Sequence, residues 1–122
     1  MTVQHNEMWA DIFRTLVSNT RREIIAALVE NPPDRAVSLP EAANSPECRR
    51  EPDSLSVDLI HNHLPMMAEK GFIEWEKEPF CAKRGPRFDD VGEVITAIQT
   101  HDQIPRHLTE GCYFLEQDEV KI

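Results

Sequence analysis

Apolar residues recur at helical spacing in the first third of the chain. Between Met8 and Leu16 they repeat every three or four positions, which predicts a helix over about residues 7–17. Thr20 and Glu23 have the spacing of a capping box, and an apolar stripe follows. We therefore predict a second helix that begins at Thr20 and ends before Pro32, because consecutive prolines cannot continue a helical hydrogen-bond ladder.

The middle of the chain predicts a short helix and then a longer one. Segment 38–41 has the form of a second capping box and opens a helix of about one turn. A polar linker, 45–53, separates it from a helix over 54–70, which is capped by its first residue or by the one before it. Gly71 is a favoured residue for ending that helix, and Pro65 inside it predicts a bend.

The pattern then changes from helical to alternating. Segment 72–77 alternates apolar and charged residues, which is typical of a half-buried strand. The turn-rich segment 78–86 is predicted to be a loop, and residues 87–88 return as a short second strand. A last helix over about 90–101 presents one apolar face, formed by Val91, Val94, Ile95 and Ile98.

These elements predict one mainly α domain with a small β-hairpin, an α+β fold. With 122 residues the chain suits a single core, which we place at 6–101, followed by an acidic tail at 102–122. Helices followed by a hairpin form the order of a winged helix-turn-helix, in which the helix before the hairpin enters the major groove of DNA.

Composition removes several classes of function. No apolar run approaches the roughly 20 residues of a membrane span, and the N-terminus does not resemble a secretory signal, so we expect a cytoplasmic protein. Three widely separated cysteines predict neither a disulfide framework nor a zinc site. Motifs of phosphate loops, zinc proteases and serine hydrolases are lacking. We expect no enzyme, no metal and no cofactor.

Two stretches resemble a known family. VDLIHNHLPMMAEKGFIEWE and NTRREIIAALVEN are similar to the third helix with its wing, and to the second helix, of the ArsR/MarR-like winged helix-turn-helix regulators of halophilic archaea. The matching residues are Asn19, Arg21, Arg22, Ile24, Ile25, Leu28, His61, His63, Leu64, Pro65, Met67, Gly71 and Trp75. The resemblance implies a sequence-specific DNA-binding regulator that dimerises through terminal helices. The linker 45–53 is longer than in a tight helix-turn-helix, and the cysteines of the metal-sensing members are missing.

The net charge of −9 opposes phosphate binding at ordinary salt, but six of these nine charges lie after residue 88. The resemblance to proteins of salt-accumulating cells changes how this acidity is interpreted. At 1 M salt the Debye length is about 3 Å, so global charge acts only at contact distance. Recognition then depends on base edges, shape and bridging water.

Helical geometry separates the faces of the helix over 54–70. At about 100° per residue, Asp58 and Pro65 fall on the outward half and His63 on the core half, where a buried histidine is expected. The outward half also supplies candidates for reading bases; Asn and Ser bond base edges, and Val contacts a thymine methyl. These candidates are Ser54, Val57, His61, Asn62 and, at the border of that half, Ser56.

Basic residues elsewhere are candidates for phosphate contact. Lys83, Arg84 and Arg87 form a basic cluster in the predicted wing, residues 77–87. Arg21 and Arg22 begin the second helix, where a phosphate would offset their unfavourable interaction with the helix dipole; pairing with nearby acids is an equal alternative.

The sequence therefore predicts a homodimeric regulator that binds double-stranded DNA, and it does not name an effector. The candidate dimerisation residues are Met8, Trp9, Ile12, Val91, Val94, Ile95 and Ile98. The alternative function is a winged-helix module that binds another protein and no DNA. The acidic last third and Asp58 favour that alternative.

Overall fold

The structure is a computed structural model that describes residues 2–46 and 48–100. The elements are α1 (Thr2–Leu16), α2 (Asn19–Glu30), β1 (Val37–Ser38), a 3-10 turn (Glu41–Ala43), α3 (Pro52–Asp58), a π-turn (Leu59–His63), α4 (Leu64–Glu69), β2 (Ile73–Lys77), β3 (Phe80–Arg84) and α5 (Phe88–Thr100). We call α3, the π-turn and α4 together the central helix, since they follow one another without a break. The predicted tail, 102–122, and His101 at the end of the last predicted helix lie outside the described residues.

The protein is mainly helical, with a small antiparallel sheet of three strands in the order β1-β3-β2. Ala82 in the middle strand pairs with Val37 on one side and with Trp75 on the other. The α+β class is therefore confirmed. Within the described residues, no helix is both long enough and apolar enough to cross a membrane.

One core joins all the layers. The apolar stripe of α2 is completely buried, and α2 packs against α5. The central helix contributes its inward face, and β2 and β3 close the core from the other side. The largest completely buried side chains are Phe72, Ile24, Ile25, Leu28, Leu55, Leu59, Leu64, Met67, Ile73, Ile95 and Val91.

The four longer helices all start earlier than predicted. α2 begins at Asn19, one residue before the predicted start at Thr20, and its N-cap is Ser18, whose hydroxyl accepts a hydrogen bond from the Arg21 backbone N–H. The central helix is capped by Glu51, whose carboxylate accepts from the N–H groups of Asp53 and Ser54. Those two residues were the predicted caps, and they are instead the donors.

The central helix ends at Gly71, as predicted, and Gly71 has a φ of 81°. This left-handed conformation is the one that glycine adopts most readily at the end of a helix. Its carbonyl oxygen then accepts a 2.7 Å hydrogen bond from Arg87 N, and Phe72 O accepts one of 3.0 Å from Gly85 N. The end of the central helix is thereby joined to the start of α5.

Instead of a simple bend, Pro65 is accompanied by a π-turn. Proline lacks an N–H, and in α-helical geometry its ring clashes with the carbonyl four residues earlier, which here belongs to His61. The preceding N–H, of Leu64, donates five residues back to Leu59 O. This wider turn accommodates the ring, and it places residues five apart on the same side of the helix.

The predicted hairpin boundaries are wrong. Segment 78–86 was expected to be a loop, but most of it is β3, and the turn consists of Glu78 and Pro79 alone. Residues 87–88 do not form a strand; α5 begins at Phe88. The edge strand β1 was not predicted, because two residues are too few to show an alternating pattern.

Candidate nucleic-acid interface

The outward face of the central helix carries the predicted base-reading residues. Ser54, Val57, His61 and Asn62 are exposed, and Ser56 is half-buried, as its border position suggested. Val57 is 59% exposed. The structure therefore brings these five residues together on one accessible surface, and their role in binding DNA stays a prediction.

Asp58 lies on the same face and is held by two short bonds. Its Oδ2 atom accepts from Arg50 Nη1 at 3.0 Å and from His63 Nε2 at 3.0 Å, whereas Oδ1 has a contact of 3.5 Å with Asn62 Nδ2. The hydrogen bond from Arg50, with those from His63 and Asn62, holds the pKa of Asp58 below its ordinary value against the opposing effect of burial. The side chain is thus an ionised carboxylate in a fixed position.

His63 is buried, as predicted, but it joins a polar network rather than an apolar contact. Its Nδ1 lies 2.9 Å from Arg21 Nη1, and a guanidinium can only donate. Nδ1 is therefore the acceptor, and Nε2 carries the proton that is donated to Asp58. Burial lowers the pKa of His63, and the charges of Arg21 and Arg50 lower it further, while Asp58 raises it. The ring is neutral near pH 7.

The π-turn explains how this network forms. In a regular α-helix, Asp58 and His63 would lie about 140° apart around the axis, and the sequence indeed predicted them on opposite faces. In the π-turn they meet on one side. Pro65, two residues beyond His63, was the feature of the sequence that could have indicated this change.

Arg21 and Arg22 bond within the protein, to the last turn of α1. Arg21 donates to Arg14 O at 2.7 Å and Thr15 O at 3.2 Å, and Arg22 donates to Leu16 O. These carbonyls lie at the negative end of the α1 dipole and have no partner within the helix, so the guanidiniums act as a C-terminal cap. Burial lowers the pKa of Arg21. Neither of the two alternatives, phosphate contact or pairing with acids, describes these bonds. The charge of Asp58 nevertheless opposes the lowering of the Arg21 pKa.

The predicted wing cluster does not form a cluster. Lys83 is exposed and pairs with Glu74 at 3.7 Å. Arg84, its neighbour in β3, points to the opposite face of the sheet. There its Nη2 donates to Leu28 O at 2.9 Å and Asn31 O at 3.1 Å.

Arg84 and Arg87 both pack on aromatic rings. Arg84 lies over Phe88, with its guanidinium carbon 4.7 Å from the ring centroid. Arg87 donates to Lys70 O at 3.1 Å and to Asp90 at 3.3 Å. Its guanidinium carbon lies 5.5 Å from the centroid of Phe72. Of the predicted cluster, Lys83 is the exposed residue, and it pairs with Glu74 across the hairpin.

The predicted dimerisation residues divide into two groups. Ile12, Val91 and Ile95 are buried in the core and are not available to a partner. Met8 and Val94 are half-buried against the core, whereas Trp9 is 47% and Ile98 39% exposed.

The exposed apolar surface of α1 is larger than predicted. Phe13, one of the apolar residues at helical spacing between Met8 and Leu16, is 63% exposed, and Val17 just beyond the helix is 75% exposed. The rings of Trp9 and Phe13 lie 5.5 Å apart. Together these residues form an apolar strip along the outside of α1.

The described part of the chain contains no group of three or more His, Cys, Asp or Glu side chains arranged to hold a metal ion. Cys48 and Cys81 are free thiols.

No protein-family model, curated protein or solved structure matches this chain. The family resemblance of the two sequence stretches therefore stays a prediction.

Proposed function

We propose that this protein is a sequence-specific regulator of transcription, with a winged helix-turn-helix that places the central helix in the major groove of double-stranded DNA. The observation that carries the proposal is the outward face of that helix. It presents hydroxyl, imidazole and amide groups around one valine, and these groups are accessible among the described residues. In this proposal the hairpin of β2 and β3, which follows the central helix, acts as the wing.

The chemistry of this face suits base edges better than phosphates. Asn62 offers both a donor and an acceptor, as adenine requires, and Ser54 bonds to either kind of group. Val57 offers a methyl-sized apolar contact for thymine. The five candidates add no fixed positive charge to the face, so its discrimination comes from direct readout.

Phosphate contacts must come from fewer residues than the sequence suggested. Arg84 and Arg87 are bonded within the protein. Lys77 and Lys83 on the hairpin and Arg49 in the linker are exposed. A small number of phosphate contacts gives a shallow dependence of affinity on salt, which suits a protein that works at high ionic strength.

Selection from a random library of double-stranded DNA at molar KCl tests the proposal. We expect the native protein to enrich one sequence, and His61→Ala/Asn62→Ala to lose that enrichment while keeping the native thermal unfolding curve. Glu30→Gln, an exposed change at the end of α2, serves as the matched control and should select the native site. Failure of the native protein to enrich any sequence would reject the proposal.

A protein-binding module is the second candidate. It is favoured by the exposed acids of the hairpin, Glu74, Glu76 and Glu78, which would repel a phosphate backbone. It predicts that the native protein enriches no DNA sequence.

We also propose that the protein is a homodimer. The support is the exposed strip of Trp9, Phe13 and Val17 on α1, together with Ile98 on α5, which packs beside α1. Burying such a strip between two copies would remove apolar surface from water. The buried residues Ile12, Val91 and Ile95 have no part in this proposed interface.

A further inference from the structure

We infer that Asp58 is a specificity-determining residue that accepts a hydrogen bond from the exocyclic amino group of a cytosine in the DNA site. This inference rests on the proposed function, because it assigns one base to one residue of the same helix face. It begins from a feature that counts against DNA binding in general, namely a carboxylate in the middle of the outward face.

The two oxygens of Asp58 are in different situations. Oδ2 accepts both short bonds, from Arg50 and His63 at 3.0 Å each. Among the described residues, Oδ1 has one longer contact, of 3.5 Å with Asn62 Nδ2, and the side chain is 32% exposed. A carboxylate has about four acceptor positions, so Oδ1 keeps capacity for another donor. In the sequence of the helix, Asp58 follows the base-reading candidate Val57 and precedes the candidates His61 and Asn62.

The bonds from Arg50 and His63 make this carboxylate suitable for the major groove of DNA. Arg50 supplies a positive charge beside Asp58, so the pair presents less net charge to the phosphates than an isolated aspartate. The bonds from Arg50 and His63 also fix the orientation of the side chain before DNA binds, which reduces the entropy lost on binding. An aspartate with neither partner would have no such advantage.

The acceptor-only character of a carboxylate selects the base. In the major groove, cytosine presents its N4 amino donor, whereas guanine and thymine present acceptors at the corresponding edge. Adenine has an amino donor too, but its N7 lone pair lies beside it and would repel the second carboxylate oxygen. Cytosine is therefore the base that Asp58 fits best.

The test compares Asp58→Asn with native protein in the same DNA selection at molar KCl. The amide keeps an acceptor for Arg50 and His63, and its NH2 group replaces Oδ1 as a donor, which matches bases that present an acceptor and not the amino group of cytosine. We expect the native preference for cytosine at one position to fall at least about fivefold, in favour of a base that presents an acceptor there. Preferences at the other positions should not change.

Two further variants separate base reading from charge and from structure. Asp53→Asn removes the same charge from an exposed position of the same helix, and it should strengthen binding to all sequences without changing the preferred base. Arg50→Met removes one partner of Asp58 and leaves the carboxylate; it should keep the cytosine preference. If Asp58 had only a structural role, Asp58→Asn and Arg50→Met would show the same base preferences in the DNA selection.

The outcomes are distinguishable. If the native protein and Asp58→Asn both select the same sequence with the same base preferences, the role of Asp58 is rejected while the proposed function stands. If the native protein selects no sequence, the proposed function is rejected and the role of Asp58 is rejected with it. Equal base changes in Asp58→Asn and Asp53→Asn would also reject it, because the effect would then follow charge alone.

Discussion

Arg84→Met gives the sharpest separation of the sequence-based interpretation from the structure. Methionine keeps an unbranched apolar stem but removes the guanidinium, which bonds Leu28 O and Asn31 O and lies over Phe88. Each hydrogen bond from a charged donor contributes about 1.5–3 kcal/mol, so the two lost bonds cost about 3–6 kcal/mol.

Part of this cost is offset. Arg84 Nε is buried without a hydrogen-bond partner, and its removal returns about 1–3 kcal/mol. Losing the contact of the cation with Phe88 costs a further 0.5–1 kcal/mol or so. We expect a net loss of about 2–4 kcal/mol, a large part of the roughly 5–15 kcal/mol by which a typical domain is stable. The melting temperature should fall by about 4–8 °C per kcal/mol.

Lys83→Met is the matched control, since it removes the neighbouring cation in the same way. Lys83 is about half exposed, and its pairing with Glu74 spans 3.7 Å between exposed groups. We expect a change in stability within about 0.5 kcal/mol. Urea unfolding at one fixed KCl concentration, followed by tryptophan fluorescence, measures both variants.

The result that refutes the reasoning is specific. If Arg84→Met unfolds at the native urea midpoint but binds DNA less well, then the guanidinium faces phosphate and not the carbonyls of α2. That result would support the basic wing that the sequence predicts.

Three further predictions concern acidity, backbone packing and assembly. The lowered pKa of His63 means that the unfolded chain binds its proton more readily. The stability that the neutral His63 contributes is therefore complete above pH 6.5 and is lost as the pH falls below that value. In His63→Gln the urea midpoint should depend less strongly on pH over this range. A Cβ at residue 85 would lie 2.5 Å from Gly71 O, so Gly85→Ala should lose more than about 2 kcal/mol by the same assay, and native stability would contradict this. Trp9→Ser/Phe13→Ser should convert a dimer to a monomer in light scattering at molar KCl; a native protein that is already monomeric would reject the dimer.

The sequence predicted the long helices and their faces well because those depend on local periodicity. The capping box predicted at 38–41 was wrong, since residue 38 lies in β1 and only Glu41–Ala43 form a 3-10 turn. Val57, His61 and Asn62 are exposed and Leu64 and Met67 are buried, as about 100° per residue requires. The same rule failed for Asp58 and His63, since a π-turn changes the angle between residues five apart.

Other features depend on contacts between distant parts of the chain. Arg84 bonds to residues more than fifty positions earlier, and no local pattern shows where a guanidinium finds its carbonyls. The strand containing it was hidden by flanking turn residues, Pro79, Gly85 and Pro86, which favoured a loop. The apolar strip on α1 was missed in part because Phe13 fits a core stripe as well as an exposed one.

The position of Arg21 has a mechanical consequence. One rigid, planar guanidinium holds the last turn of α1 through Arg14 O and Thr15 O, and holds the central helix through His63. His63 in turn donates to Asp58. Any displacement of α1 relative to the central helix must therefore stretch a chain of hydrogen bonds that ends on the outward face. A shift of α1 therefore changes the position of Asp58 on the outward face. By reciprocity, a molecule that binds to this face changes the position of α1.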